Sequence, residues 1–282
     1  MTRKIACITL DVETDFHDPG ARLRLFDDAS LFARYTALVN EHDVKLTAFL
    51  VTSLLDQYGA DYKKLAGKIP VEFAVHSHRH DMQNPCSRTD IEESVRAFRD
   101  FFGKNPDGYR APVGQITREG METLLDLGFR YDSSIYPSVR PGRPGYNNLH
   151  LPVAPFRVRR AANSIIEVPF GTLSGIRLVF SLSYVKLFGW KTYQFLLKMF
   201  PLPDQLAVLS HPYDHYFHLL PDATDGWEKP LLQRNAENAF DLLEKMIIFL
   251  RRRGYEFEFL SGLCDYLEDQ DLPVYDVERA IR

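Results

Sequence analysis

The chain has 282 residues, 45% of them hydrophobic, and a formal charge of −4. That length accommodates one large core or two smaller ones, and the composition is that of an ordinary globular protein. No apolar run approaches the roughly 20 residues that span a bilayer, and the mildly acidic balance without a binding motif argues against a nucleic-acid partner. The cysteines, Cys7, Cys86 and Cys264, are scattered and show no CxxC or Cys/His zinc spacing, so a disulfide framework is not expected and a reducing compartment fits better. The N-terminal Met-Thr-Arg-Lys leads within a few residues to Asp11, too short and too quickly acidic a stretch for a signal peptide. A cytoplasmic location is therefore expected.

Short apolar runs alternate with helical patterns along the chain. Predicted strands cover Ile5–Asp11, Lys45–Val51, Val71–His76, Gly108–Arg110, Phe129–Asp132, Ile165–Pro169, Leu206–His211 and Glu256–Leu260. Predicted helices cover Ser30–His42, Ala60–Lys68, Arg88–Phe102, Thr117–Leu127, Tyr184–Phe200 and Gln233–Arg253. Helix starts are signalled at Asp28–Ser30, at Ser87–Asp90 and at Thr117 with Glu119 following; Gly103, Gly128 and Gly254 mark helix ends. Strand–helix repetition implies parallel strands with helical crossovers. The expectation is a single α/β domain over residues 1–282, a distorted (β/α) barrel of seven or eight parallel strands.

The pattern loosens between Ser133 and Ser164, where seven Pro and Gly residues crowd. Long loops of this kind in a compact domain are usually functional. From Arg130 to Phe200 ten basic residues stand against only two acids, Asp132 and Glu167, a local balance of +8. Interleaved with them are Leu187-Phe188-Gly189-Trp190 and Phe195-Leu196-Leu197. Such a basic and aromatic insertion, around residues 133–200, suits a surface facing anionic lipid; the competing reading is a core helix with ordinary solvated lysines.

Chemistry concentrates at strand ends. Asp11, Glu13 and Asp15 follow the first strand, and His76, His78 and His80 the third. Arg110 follows the fourth strand, Asp132 the fifth and His211 the penultimate one. In a parallel barrel these are the positions that converge on one mouth. Imidazoles and carboxylates brought together there suggest a metal-dependent hydrolytic site. By alternation His78 faces away from its neighbours, and His215 and His218 are expected at the rim. No Gly-x-Ser-x-Gly elbow exists, so Ser77 is a loop hydrogen bonder rather than a nucleophile.

In this order the motifs resemble those of the polysaccharide deacetylase family, the NodB-homology domain of carbohydrate esterases. Asp11-Val12-Glu13 is similar to the family's first motif, His76-Ser77-x-x-His80 to H-[ST]-x-x-H, and Arg110-Ala111-Pro112-Val113-Gly114 to R-x-P-x-G. Asp132-Ser133-Ser134-Ile135-Tyr136 is similar to D-x-x-x-W and Leu209-Ser210-His211 to L-x-H. The resemblance implies a divalent metal, zinc before others, held by Glu13, His76 and His80, with Asp15 as the competing carboxylate. It implies Asp11 as general base beside Arg110, His211 as general acid, and Asp132 orienting His211 if the two touch. Pro112, Val113, Gly114, Tyr136 and Leu209 would line the substrate site, with backbone amides near Val113 or Gly114 on the oxyanion.

Three features depart from the family pattern: the first acids are separated and the second is Glu, Val113 replaces a tyrosine, and Tyr136 replaces tryptophan. The last two alter the acyl pocket, so the acyl group need not be acetyl. The activity implied is removal of an N-acyl group, acetate foremost, from an N-acetylhexosamine glycan or lipid-linked glycan precursor at the inner membrane face. A metal-poor amidohydrolase acting on a cyclic ureide and a catalytically silent glycan-binding barrel are the alternatives.

Overall fold

A computed structural model describes residues 2–15, 22–81, 83–142, 145–220 and 232–281. The first strand, β1 (Ile5–Val12), is buried along its whole length. It runs parallel to β2 (Leu46–Leu50), which pairs with β3 (Val71–Val75). The parallel series continues through β4 (Gly108–Tyr109) and β5 (Tyr131–Asp132). The stretch that the sequence marks as irregular holds a small antiparallel pair, β6 (Val139–Arg140) and β7 (Tyr146–Asn147), and then β8 (Phe156–Arg160). The next strand, β9 (Asn163–Glu167), pairs antiparallel with β8 and parallel with β5. On the other side of β1 lies β10 (Gln205–Ser210), also parallel. The series β10-β1-β2-β3-β4-β5-β9 is thus seven parallel strands. The sheet does not close as a continuous ladder; a single bridge between Phe170 and Ala207 spans the gap between its ends. This is the expected distorted barrel, with its seam beside β10.

Helices cover the outside. They include α1 (Arg24–Asp27), α2 (Ala29–Glu41), α3 (Leu55–Ala66), α4 (Arg88–Phe102) and α5 (Arg118–Leu127). The start signals act as caps: Asp28 accepts from Ser30 N at 2.9 Å, Ser87 from Asp90 N at 3.3 Å and Thr117 from Gly120 N at 3.0 Å. Gly103 and Gly128 end their helices at φ 73° and 74°, where glycine carries no side-chain penalty. The predicted helix Tyr184–Phe200 is two, α6 (Leu182–Phe188) and α7 (Trp190–Met199), because Gly189 turns out of helical geometry at φ 84°, ψ 149°. A further long helix is α8 (Ala239–Arg252).

The predicted strand Glu256–Leu260 is mostly something else. Only β11 (Glu256–Phe257) pairs with β1, and α9 (Leu260–Glu268) begins at once. Its Leu260, Leu263, Cys264 and Leu267 fall at helical spacing and are buried against Ile5, Cys7, Phe49, Ala74 and Tyr131. The chain ends with β12 (Val274–Asp276), on the outer edge beside β8, and α10 (Val277–Ala280). The three cysteines are free and buried.

Strand alternation divides each barrel strand into two sets. On β1, Ala6, Ile8, Leu10 and Val12 pack with the helix layer, whereas Ile5 and Cys7 pack with the interior set. Thr9 and Asp11 share the parity of Ile5 and Cys7, so one strand leads from an apolar floor to a carboxylate at its C-terminal end. The register then fixes which ends meet: Asp11 lies beside Phe49, Phe49 beside Ala74, and Thr9 beside Leu209.

Candidate active site

Asp11 and Arg110 form the buried base of the site. Arg110 Nη1 donates to Asp11 Oδ1 at 2.6 Å and to Thr9 Oγ1 at 2.8 Å; its Nε and Nη2 donate to the Ser133 carbonyl and hydroxyl, each at 2.9 Å. The guanidinium is fully buried and lies between the rings of Phe49 and Phe170, 4.0 and 4.6 Å from their centroids. Its plane and charge are therefore fixed, and the carboxylate of Asp11 with them.

Beside this pair stand Glu13, His76 and His80, whose donor atoms lie within 4.8 Å of one another. His76 Nδ1 is 2.9 Å from the Arg110 carbonyl. A carbonyl only accepts, so Nδ1 carries the proton and the Nε2 lone pair points into the site, 3.5 Å from Glu13 Oε2 and 3.9 Å from Asp11 Oδ2. His80 Nε2 is buried 2.6 Å from the same Glu13 oxygen, yet makes no directed hydrogen bond. Donors that crowd one point without bonding each other fit a shared cation. Burial opposes the charge on Glu13, but His80 and His76 hold its carboxyl well below the usual carboxylate range.

The loop between the imidazoles is strained and braced. Ser77 and His80 adopt φ 69° and 55°, a region non-glycine residues rarely occupy. Asp90, on the first turn of α4, accepts from His78 N at 2.8 Å and Arg79 N at 3.1 Å, and Ser77 Oγ accepts from His80 N at 3.0 Å. His78 turns away, with Nδ1 2.9 Å from Thr52 Oγ1; regular alternation would place it with His76 and His80, and the left-handed turn at Ser77 breaks that alternation. Asp15 also turns away: it accepts from Arg24 N at 3.0 Å and from the Tyr216 hydroxyl. The carboxylate that joins the imidazoles is Glu13.

His211 occupies the other wall, at the end of β10. Its ring stacks on Tyr213 at 4.9 Å and 10°, and Tyr213 in turn donates to Glu13 Oε1 at 2.8 Å. Asp214, not Asp132, orients it: Asp214 Oδ2 is 3.4 Å from His211 Nδ1 and accepts from His211 N at 3.0 Å. Asp214 is fully buried, with Lys186 Nζ at 3.0 Å and Ser183 Oγ at 3.0 and 3.1 Å. Burial disfavours the charged imidazole, but Asp214, Glu13 and Asp11 together raise its pKa to about 9. Burial likewise opposes the charge on Asp214, and Lys186 and His211 overcome it, keeping that carboxyl far below its ordinary value.

Asp132 requires a correction. Its neighbours Tyr131 and Ser133 face the barrel interior, so alternation sends Asp132 into the outer layer. There it sits opposite Glu167 in the register and accepts from Ser134 Oγ at 2.6 Å; Glu167 accepts from Ile135 N at 2.9 Å. The remaining oxygen of each carboxyl is buried without a protein partner among the described residues. Burial raises Asp132 to about 6 and Glu167 well above the usual range, so the pair shares a proton. Ser134 Oγ also accepts from Ala111 N at 2.8 Å, so the carboxyl pair braces the loop that follows Arg110 and does not reach His211.

That loop, Pro112–Gly114, contains Val113 at φ 50° and Gly114 at φ 67°. A side chain at Gly114 would meet the Tyr136 ring at 2.3 Å. Gly114 N–H is committed to the Ala111 carbonyl at 3.0 Å, which leaves Val113 N–H as the candidate oxyanion donor and corrects the expectation for Gly114. Tyr136 stacks between Tyr146 and Phe170, at 5.2 and 3.9 Å, so it continues the Arg110 sandwich into an aromatic wall. Leu209 is buried on β10 opposite Thr9, and Pro112 is buried at the loop start. His215 is fully buried between Tyr35 and Phe240, a second correction, while His218 is exposed.

Residues 20–131 match the family model described as polysaccharide deacetylase. Over that stretch the chain is similar to the polysaccharide deacetylase family. The match spans His76, His80 and Arg110–Gly114, and leaves Asp11, Glu13 and His211 to geometry. No curated protein matches the chain. Among solved structures it is similar to one described as a probable polysaccharide deacetylase from Pseudomonas aeruginosa, at 15% identity and TM-score 0.59, covering 95% of this chain and 92% of that one. It is similar to the PuuE allantoinase at 14% identity and TM-score 0.61, covering 95% and 92%. A CE4 family pseudoenzyme from Bacillus anthracis aligns at 15% identity and TM-score 0.52, covering 98% and 70%. At such identities these likenesses speak for the fold.

Proposed function

We propose that this chain is a metal-dependent N-deacetylase that hydrolyses the acetamide of an N-acetylhexosamine unit, a hydrolase of linear amide C–N bonds. The observation that carries this reading is the convergence of Glu13, His76 and His80 beside Asp11, with His211 bridged to the same centre through Tyr213. Two imidazoles and one carboxylate suit zinc and leave coordination positions open. Such an ion, when bound, polarises the amide carbonyl and makes water a nucleophile at neutral pH.

The protein's own groups supply the rest. Asp11 has one oxygen pinned by Arg110 and the other facing His76, so its free oxygen is placed to take the proton of the attacking water. Val113 N–H faces the charge that develops on the carbonyl oxygen. His211, held protonated by Asp214, donates to the departing nitrogen. The Tyr136–Tyr146 wall offers a flat apolar face to a sugar ring.

The substrate class we favour is a glycan precursor in the cytoplasm. Three free, buried thiols fit a reducing compartment. The complete donor set favours this reading over a metal-poor cyclic-ureide hydrolase, and the poised base and acid favour it over a silent binder. The test is acetate release from an N-acetylglucosamine oligomer by zinc-loaded protein. Release that a chelator stops and zinc restores is expected; turnover of a cyclic ureide without metal, and none of the amide, would contradict it.

A further inference from the structure

The most exposed large apolar side chains among the described residues are Phe195 at 62% and Met199 at 59%, one turn apart on α7. Lys191 and Lys198 are exposed on the same helix, and with Phe195 and Met199 they fall at i, i+4, i+7 and i+8, a single stripe. The opposite face of α7 is ordinary core: Tyr193 and Leu197 are buried, and Trp190 packs on Phe249. Two further apolar side chains are exposed near the ends of α7 in the chain or in space. Phe188, the last residue of α6, is 44% exposed. Ile176, 41% exposed, lies next to Gly175, whose Cα faces the Phe200 ring, while Ser174 N donates to the Pro201 carbonyl.

The charge of this region has one sign. Between Glu167 and Asp204 the sequence contains Arg177, Lys186, Lys191 and Lys198 and no acid at all. Lys186 is neutralised by Asp214 inside the protein. Among the described residues the Arg177 guanidinium donates to the carbonyls of Pro137, Leu151 and Leu149. Among the described residues neither exposed lysine makes an ion pair, and both stand among exposed apolar side chains. An aqueous surface rarely carries that combination, whereas apolar groups that enter an acyl boundary beside lysines that meet headgroup phosphates are how an interfacial helix binds.

We propose that the α6–α7 face docks on an anionic lipid surface, with Phe188, Phe195 and Met199 in the interface and Lys191 and Lys198 on the headgroups. The docked element is continuous with the acid wall of the site: α6 carries Ser183 and Lys186, which hold Asp214 against His211. A protein seated on this face presents its site next to the bilayer, where the sugar of a lipid-linked precursor is displayed. That substrate assignment deepens the deacetylase reading and rests on it; the docking itself does not.

The experiment is sedimentation of the full chain with vesicles of phosphatidylcholine, alone or mixed with phosphatidylglycerol, at low and high salt. Binding to the mixed vesicles only, reversed by salt, is expected. The doubly substituted Lys191→Gln/Lys198→Gln chain should partition roughly 30-fold more weakly, and Phe195→Ser should weaken binding to both salt conditions alike. All these side chains are exposed, and hydrolysis of a soluble N-acetylated oligomer by the variants should match the parent, which separates a docking failure from a failure of the deacetylase reading. Absence of sedimentation with anionic vesicles overturns the proposal. So does equal binding to neutral vesicles, and so does a dimer in analytical ultracentrifugation that Phe195→Ser dissolves, which would make a second copy the occupant of this face.

Discussion

The two walls of the site are built differently. The metal wall and its base, Glu13, His76, His80, Asp11 and Arg110, come from residues that follow or end β1, β3 and β4, within five positions of each strand end. Each is placed by the strand it leaves, and its braces, Asp90, Ser77 and the Arg110 carbonyl, are short-range devices of the same loops. The acid wall has one residue at a strand end, His211, and depends on support from elsewhere: Asp214 comes from the following turn, and Lys186 and Ser183 from α6, some thirty residues earlier in the chain. A wall made of strand ends is fixed by the register of the barrel. A wall propped by a distant helix is fixed by one buried ion pair, and is the more easily dislodged.

Substitutions at four positions press on that contrast. Asp11→Asn should have the largest catalytic effect, a loss of about 10²–10⁴-fold in kcat measured by acetate release, with glycan binding retained. Asp214→Asn should have the largest effect on folding, because it leaves Lys186 buried without its counter-charge. A loss of about 3–5 kcal/mol in denaturant unfolding is expected. The same change withdraws the main support of the His211 charge. The folded pKa of His211 is raised from 6.5 to about 9. Its contribution to stability is therefore complete below about 6.5 and disappears as pH rises through about 9. The alkaline limb of kcat/KM should accordingly move to lower pH in Asp214→Asn, and stay in place in an equally destabilised variant of the metal wall.

Smaller effects sharpen the comparison. Glu167→Ala should leave Asp132 without the carboxyl with which it shares a proton and lower stability by about 1–3 kcal/mol, with a fall in kcat as the Ala111–Gly114 loop loosens. Glu167→Gln, which keeps a hydrogen bond without a shared proton, should restore most of both. His215, behind the acid wall, gives a signal that appears only on acidification. Burial lowers its pKa from 6.5 to about 3, so the unfolded chain binds a proton that the native state refuses, and stability falls as pH drops below about 6.5, by roughly 1.4 kcal/mol per unit. His215→Phe should flatten that slope in unfolding titrations; an unchanged slope would place the acid sensitivity elsewhere.

The contrast also explains what could be read from the sequence. Parallel strands, capped helices and their Gly stops are local patterns, and the barrel follows from their order. The metal wall was legible because its groups sit at strand ends in short motifs. Position at a strand end says nothing of side: Tyr131 and Ser133 take the interior, so Asp132 faces outward to Glu167, and the alternation of β5 carries that information. The Asp214–Lys186 pair had no such signal, since nothing local in α6 announces a partner in a turn beyond the next strand. The helix Leu260–Glu268 was hidden because its first residues continue a β-like run before the 260, 263, 264, 267 spacing appears. His215 was placed at the rim by its neighbourhood of histidines and loops, whereas aromatic packing by Tyr35 and Phe240 draws it inside.

The most direct measurement is calorimetric titration of metal-free protein with zinc, in the parent and in His76→Ala and Glu13→Gln. One ion per chain is expected in the parent, with binding lost in both variants while Asp15→Asn still binds. A parent that takes up no zinc, or a Glu13→Gln chain that binds as the parent does, would contradict the convergence of Glu13, His76 and His80 on a common ion.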